Sequence, residues 1–221
     1  HPSSFWFEKD RLMLTVYVDD LLLSGPAAKH EAFWTKLAKD IDIEPPEPLD
    51  RFLGRHHELS ADGCACVLNM VDYVHQTVDM FKQHAPQHAL KRVNTPFCPE
   101  GSLPAEGEDA RGELSGSACA LLMKHLWLAR LARPDLQRAI CALASHVSKW
   151  SANDDRRLHR LVCYLFSTPD LKLEGHVRDK PEDLTIDLWV DADFAGAEDD
   201  AKSTSGAYLA LVGSRSFMPL M

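Results

Sequence analysis

One apolar stretch, Leu12-Met13-Leu14-Thr15-Val16-Tyr17-Val18-Asp19-Asp20-Leu21-Leu22-Leu23, constrains this chain more than any other. Apolar and β-branched residues flank the two acids on both sides and read as two buried strands. Only a tight turn fits between them, so the spacing predicts a hairpin with Asp19 and Asp20 at its tip. Two like charges held that close repel unless a cation neutralises them. Mg²⁺ suits such a tip, because this hard ion takes oxygen ligands and keeps room for phosphate oxygens. The alternative is an acidic surface turn, since Asp favours turns through hydrogen bonds to its own backbone. Spacing alone leaves both readings open.

With 221 residues the chain can bury a sizeable core, as one domain or two small ones. No run of 18 or more apolar residues occurs, so no membrane span is expected. No charged-then-apolar leader precedes Ser4, which points to an intracellular rather than a secreted chain. The first residue is His1 and the hairpin begins almost at once, so a fragment is expected. The net charge of −9 argues against autonomous nucleic-acid binding, where Lys and Arg replace condensed counterions. Locally the balance reverses. Lys124, Arg130, Arg133, Arg138, Lys149, Arg156, Arg157 and Arg160 face only Asp135, Asp154 and Asp155 in the same stretch. Such a stripe suits a phosphate backbone, or simply forms the solvated faces of amphipathic helices.

Six cysteines are scattered, which fits a reducing compartment and not a disulfide framework. Cys64-Ala65-Cys66 is too tight for a C-x₂-C knuckle, and Pro86 separates His84 from His88, so a zinc set from these four is disfavoured. Cys119, Cys141 and Cys163 fall in apolar helical stretches and are expected in the core.

Along the chain, Phe5 to Glu8 and Leu12 to Val18 flank a turn at Lys9-Asp10, and Gly25-Pro26 stops the following arm. Ala27 to Ile41 reads helical. The segment Glu44-Pro45-Pro46-Glu47-Pro48 makes a stiff connector. A second hairpin runs from Phe52 to Leu68 around Asp62-Gly63, and Val71 to His84 is helical. Residues 85–112 are rich in Pro, Gly and Glu and read as a linker. Three helices are predicted next: Glu113 to Leu131, one opened by Pro134 with the stripe Leu136, Ile140, Leu143 and Val147, and one capped by Ser151 or Asn153. Strands at 172–177, 185–190 and 206–212 close the chain.

Tyr17-Val18-Asp19-Asp20 resembles the Y-x-D-D box of reverse transcriptases, and Tyr17 to Gly25 resembles its copia-type retrotransposon version. Further segments follow in that family's order. Arg51-Phe52-Leu53-Gly54 is similar to its F-L-G strand, Tyr73 to Phe81 to a helix, and Asn94-Thr95-Pro96 to its N-T-P turn. Leu126 to Asp135, ending Ala132-Arg133-Pro134-Asp135, resembles its helical signature. Val190 to Gly196 and Lys202 to Gly206 resemble the start of its RNase H region. The chain is therefore identified as resembling the copia-type Pol polyprotein over nearly its whole length.

That resemblance implies an α+β fold. Residues 1–84 would be the later part of a reverse-transcriptase palm with its hairpin and helix, 85–112 a linker, 113–170 a helical thumb or connection, and 171–221 the first strands of a truncated RNase H-like domain. It implies an RNA-directed DNA polymerase with RNase H, acting on an RNA template, a DNA primer or hybrid and dNTPs beside other Pol segments. The chemistry is two-metal nucleotidyl transfer with Mg²⁺, or Mn²⁺ in its place. Asp19 and Asp20 would hold metal at the first site and Asp191 at the second. Tyr17, Lys124, Arg130, Arg133 and Arg138 would approach nucleic acid. In the family, one partner aspartate lies on an earlier palm strand and further RNase H carboxylates lie later, so each site is expected to be partial and the chain inactive alone. The rival expectation is a decayed or repurposed remnant without catalysis, at most an interaction module.

Overall fold

The apolar run at the front of the chain folds as the centre and edge of a three-stranded antiparallel sheet: β1 (Ser4–Phe7), β2 (Leu12–Tyr17) and β3 (Asp20–Ser24), in that spatial order. The structure is a computed structural model that describes residues 2–99, 101–104, 111–193 and 203–220, the Asp193 side chain excepted. Helices and antiparallel strands are mixed along the chain, so the fold is α+β. No described helix is long and apolar enough to cross a membrane.

Two units divide at residues 57 and 58. In the first, β2 pairs Leu14 with both Phe5 and Leu23, and Leu12 with Phe7. These partners share one face, on which Leu12 and Leu14 are buried. Phe7 meets Phe33 edge-on at 4.9 Å between ring centroids. Phe33 belongs to α1 (His30–Leu37), which follows a 3₁₀ turn at Ala27–Lys29. This helix stops short of the predicted Ile41, because Lys39 and Asp40 tighten into bonds with Lys36 and Leu37. Gly25 turns the chain with φ +135°, and a Cβ there would collide with the Arg11 carbonyl oxygen, so glycine is required. Of the F-L-G segment only Phe52 is in a strand, and Leu53 and Gly54 form a turn. Phe52 of β4 (Arg51–Phe52) pairs with Arg55 of β5 (Arg55–Leu59), leaving Leu53 and Gly54 as a two-residue loop with φ +55° and +77°.

The second unit begins within β5. Its core is helical, built by α2 (Val71–His84), α3 (Ala118–Leu131), α4 (Gln137–Ala144) and α5 (Ala152–Ser167). Val74, Val78, Phe81, Leu121, Leu128, Leu136, Ile140, Leu158 and Leu161 fill it. Each such side chain contributes about 1.5–3 kcal/mol when fully buried. Of the predicted stripe, Leu136, Ile140 and Leu143 face inward and Val147 is partly buried against them. The packing boundary lies well before residue 84, where the sequence divides palm from linker, since α2 shares the core of the later helices.

In its described part, residues 85–99 and 101–104, the segment expected to be a linker is a strap along α5. Ala85 is fully buried. The Lys91 amide reaches Cys163 Sγ at 3.4 Å, the Val93 amide donates to Ser167 Oγ at 2.8 Å, and Arg160 donates to the Thr95 carbonyl oxygen and Oγ1, both at 2.9 Å. Asn153 holds the Pro104 carbonyl oxygen at 2.9 Å. Composition misleads here because proline-rich backbone can still be satisfied by side chains of a neighbouring helix. Cys119 and Cys141 correct another expectation: both are exposed, and only Cys163 of the three is buried.

A five-strand antiparallel array completes this unit, in the order β6 (Ala65–Asn69), β7 (Leu173–His176), β10 (Ser216–Pro219), β9 (Thr204–Gly213) and β8 (Thr185–Asp193). β10 was not anticipated; Pro219 sits at its last position, where a missing N–H is tolerated. β6 and β7 pair directly, so the stretch at 64–69 and the closing strands share one sheet.

Candidate acidic hairpin site

Tyr17 of β2 pairs with Asp20 of β3, which leaves Val18 and Asp19 as a two-residue loop. Val18 has φ +53° and is 80% exposed. Positive φ at the first loop residue is where a hairpin favours glycine, and for a β-branched side chain it is an outlier costing about 1–3 kcal/mol. The neighbouring strands enforce it. The pairing runs from Met13–Ser24 to Tyr17–Asp20 without a bulge, so the turn has no residue to spare.

Both carboxylates of the tip are exposed, Asp19 in the loop and Asp20 at the first strand position. Neither takes a hydrogen bond or ion pair from the described residues. Asp20 shares the open face of the sheet with Tyr17, Thr15 and Leu22, and Tyr17 is itself half-exposed. The tip thus presents solvated oxygens on a rigid two-residue turn. Among the described residues no three His, Cys, Asp or Glu side chains gather as a metal-holding group. Two adjoining carboxylates nevertheless match Mg²⁺, which is commonly held by one or two carboxylates with water and phosphate oxygens in the other positions.

Asp191 lies in the second unit. Its strand runs on to Asp193, beyond the Val190 end read from the alternation, and Asp191 stands opposite Gly206. Its carboxylate is exposed beside a shallow open depression lined by Val190, Ala192, Ser205 and Ala207. The Asp193 side chain and residues 194–202, which carry part of the resemblance, lie outside the described residues.

The basic stripe is largely consumed by the fold. Arg133 corrects its assignment as a nucleic-acid contact. It is 2% exposed, and its guanidinium forks onto Asp135 at 3.0 and 2.8 Å while donating to the Thr168 carbonyl oxygen at 2.9 Å. Tyr164 completes that knot by donating to Asp135 at 3.0 Å. The Arg-Pro-Asp signature therefore ties the start of α4 to the end of α5. Arg156, Arg157 and Arg160 bond Asn153, Asp154 and Thr95. Lys124 lies over the Tyr73 ring, 4.5 Å from its centroid, and burial raises the pKa of that phenol. Arg130, Arg138 and Lys149 are exposed and take no side-chain hydrogen bond or ion pair from the described residues.

Three polar positions escaped sequence reading. His125 is fully buried in α3; its Nδ1 meets the Leu121 carbonyl oxygen at 2.6 Å, and its Nε2 has no partner. Burial drives its pKa down to about 4. Asp155 accepts from Trp150 Nε1 at 2.7 Å and from the Glu113 and Leu114 amides at 2.6 and 3.2 Å. Asp154 closes a capping box with Ser151 and binds His146 and Arg157, each at 2.9 Å. Burial works to raise the Asp154 pKa, but these hydrogen bonds outweigh it and hold the carboxyl below its usual range. Ser151 followed by Asp154 is a legible cap, whereas His125 and Asp155 give no local signal. The paired His56 and His57 of β5 are strand histidines, with His56 bonding Asp50 at 3.0 Å.

By sequence this chain is related to retrotransposon Pol polyproteins of the Ty5 and copia type. The chain is 22% identical over 204 residues to the putative transposon Ty5-1 protein YCL074W of Saccharomyces cerevisiae, covering 92% of this chain and 63% of that protein. It is 26% identical over 214 residues to the retrovirus-related Pol polyprotein from transposon RE1 of Arabidopsis thaliana, and 27% over 226 residues to that from transposon RE2. Those alignments cover 93% and 96% of this chain but 13% and 14% of the polyproteins. The chain thus spans less than two thirds of each of these relatives. No family profile matches it, and no solved structure does.

Proposed function

We propose that this chain is a Pol segment that carries one acidic half-site of a reverse transcriptase, at Asp19 and Asp20, and the opening aspartate of an RNase H site, at Asp191. The observation that carries the reading is the strained Val18 turn, which fixes in solvent, at the tip of the Y-x-D-D hairpin, two carboxylates that take no bond from the described residues. Proteins retain such strain where geometry serves a site. A Mg²⁺ or Mn²⁺ ion held there would stabilise the attacking and leaving oxygens of an in-line displacement. Within this chain Asp19 and Asp20 supply the oxygens, Tyr17 flanks them on the open face, and Arg130 and Arg138 offer charge to a template or hybrid backbone. The proposed substrates are an RNA template, a primer and dNTPs. Such a site also needs a second carboxylate-bearing strand beside Asp19 and Asp20.

Primer extension with Mg²⁺, by a reading frame that joins this chain to a palm strand bearing the missing aspartate, tests the reading. Asp19→Asn should lose roughly a hundredfold or more of activity, the scale on which preorganised charge acts in such sites. Equal activity in the two proteins rejects Asp19 as a ligand. A second reading, a non-catalytic remnant working as an interaction module, draws on the consumption of the basic stripe by structural bonds.

A further inference from the structure

One row of α5 side chains holds the strap. Asn153, Arg160, Cys163 and Ser167 bind its backbone, and His159 adds a bond to the Ala89 carbonyl oxygen at 3.1 Å. Spacings of three, four and seven residues put this row on one side of the helix. Little apolar surface backs these bonds: Leu90 packs partly against the core, whereas Ala89, Lys91, Arg92 and Thr95 are exposed. At the centre of the seam two imidazoles lie ring to ring, His88 of the strap and His159 of α5, with 5.4 Å between their centroids. From α2, Phe81 stacks on His159 at 6.0 Å, while Lys82 and His84 of that helix bond Asp79 and the Met80 carbonyl oxygen. On α5 itself, Cys163 Sγ lies 3.4 Å from His159 Nε2, and the nearby Arg156 and Arg160 bond Asn153 and Thr95. The strap adds Lys91 and Arg92, so cations crowd this seam. Glu113 brings an opposing charge, but it stands by His88, 4.0 Å from Nε2, and is held by Gln87 at 2.8 Å.

We propose that residues 88–95 form a pH-released strap, closed on α5 while His159 is neutral and lifted when that imidazole takes a second proton. With Nε2–H donated to Ala89, the second proton goes to Nδ1 and sets a full cation among His88, Lys91 and the α5 arginines. Burial is the largest cause holding the His159 pKa below its ordinary 6.5; His88 and Lys91 act with it, and the Ala89 bond acts against them. In the open strap His159 charges at the ordinary value. The open form therefore binds more protons, and it gains on the closed form as pH falls below about 6.5. Opening would release Arg160 from Thr95 and bare Cys163, which is 2% exposed in the closed form.

Hydrogen exchange on the full chain at about pH 7 and pH 5, corrected for the intrinsic rate, reads the strap at the Lys91 and Val93 amides and the core at α3. The comparison is with His159→Gln, which keeps an N–H for Ala89 and cannot charge. Acid acts on α3 through His125 in both proteins, so that effect cancels. Strap protection should fall severalfold further in the wild type than in the variant, with α3 falling equally in the two. Cys163 should likewise gain reactivity toward a disulfide reagent, relative to the exposed Cys141, in the wild type alone. If His159→Gln does not fold, His88→Gln decides: removing the facing imidazole should reduce the fall in the strap and leave α3 as it was. A wild-type strap that loses no more protection than either variant overturns the proposal. So does an excess loss that is as large in α3 as in the strap, since His159 would then act on global unfolding.

Discussion

At two places in this chain the same dipeptide meets opposite fates. Asp19-Asp20 sits on a strained turn in solvent and takes no bond from the described residues. Asp154-Asp155 opens α5, is buried, and takes bonds from His146, Ser151, Arg157, Trp150 and two backbone amides. The second pair serves the fold: its charge meets the positive end of a helix, and its oxygens satisfy donors that burial would otherwise orphan. The first pair serves nothing visible in the fold. An acidic pair is thus a functional candidate where the structure spends backbone strain on it and gives it no structural partner.

Substitutions can break this contrast, and the largest effect belongs to the buried pair. Asp155→Ala strands the Trp150 indole and the Glu113 and Leu114 amides, and urea unfolding should show a loss of about 3–4 kcal/mol. A loss under about 1 kcal/mol would show that water replaces the carboxylate and that the pair is not structural.

Next in size is an acid effect on the helical core. The unfolded chain protonates His125 near pH 6.5, while the buried imidazole resists until about pH 4. The unfolded state therefore binds more protons in that window, and stability falls as pH drops through it. The difference between wild type and His125→Leu should grow by about 3 kcal/mol from pH 7 to pH 4, and stay flat above pH 7. A pH-independent difference would mean that Nε2 has a partner in solution.

Smaller effects sharpen the hairpin side. Val18→Gly removes the positive-φ strain but loosens the unfolded chain, so a net gain of about 0.5–1 kcal/mol is expected in thermal or urea unfolding. Asp19→Asn should change stability by less than about 0.5 kcal/mol while abolishing the metal-dependent activity proposed above. Destabilisation by more than that would place Asp19 with the structural acids.

Much of this was legible in residue order. The hairpin followed from apolar strands too close for anything but a tight turn, although the loop falls one residue early, at Val18-Asp19, and the stripe Leu136, Ile140 and Leu143 pointed inward as its period required. The strap in the described part of residues 85–104 was not legible, because its hold on α5 comes from Arg160, Asn153 and Ser167, far along the chain. Nor was the fate of Arg133, whose partner Thr168 lies 35 residues on. The Asp19-Asp20 tip was legible as a motif, while its freedom from partners was not.

By itself the sequence determined most of the strands and helices, which faces of them are apolar, and that two acids share a hairpin tip. These follow from local periodicity and turn chemistry, which act over a few residues. Only the tertiary structure decided which acids and arginines are used up in holding the chain together and which are left in solvent. That depends on donors and acceptors brought close from distant segments, and burial makes an unmatched one costly enough to dictate the pairing.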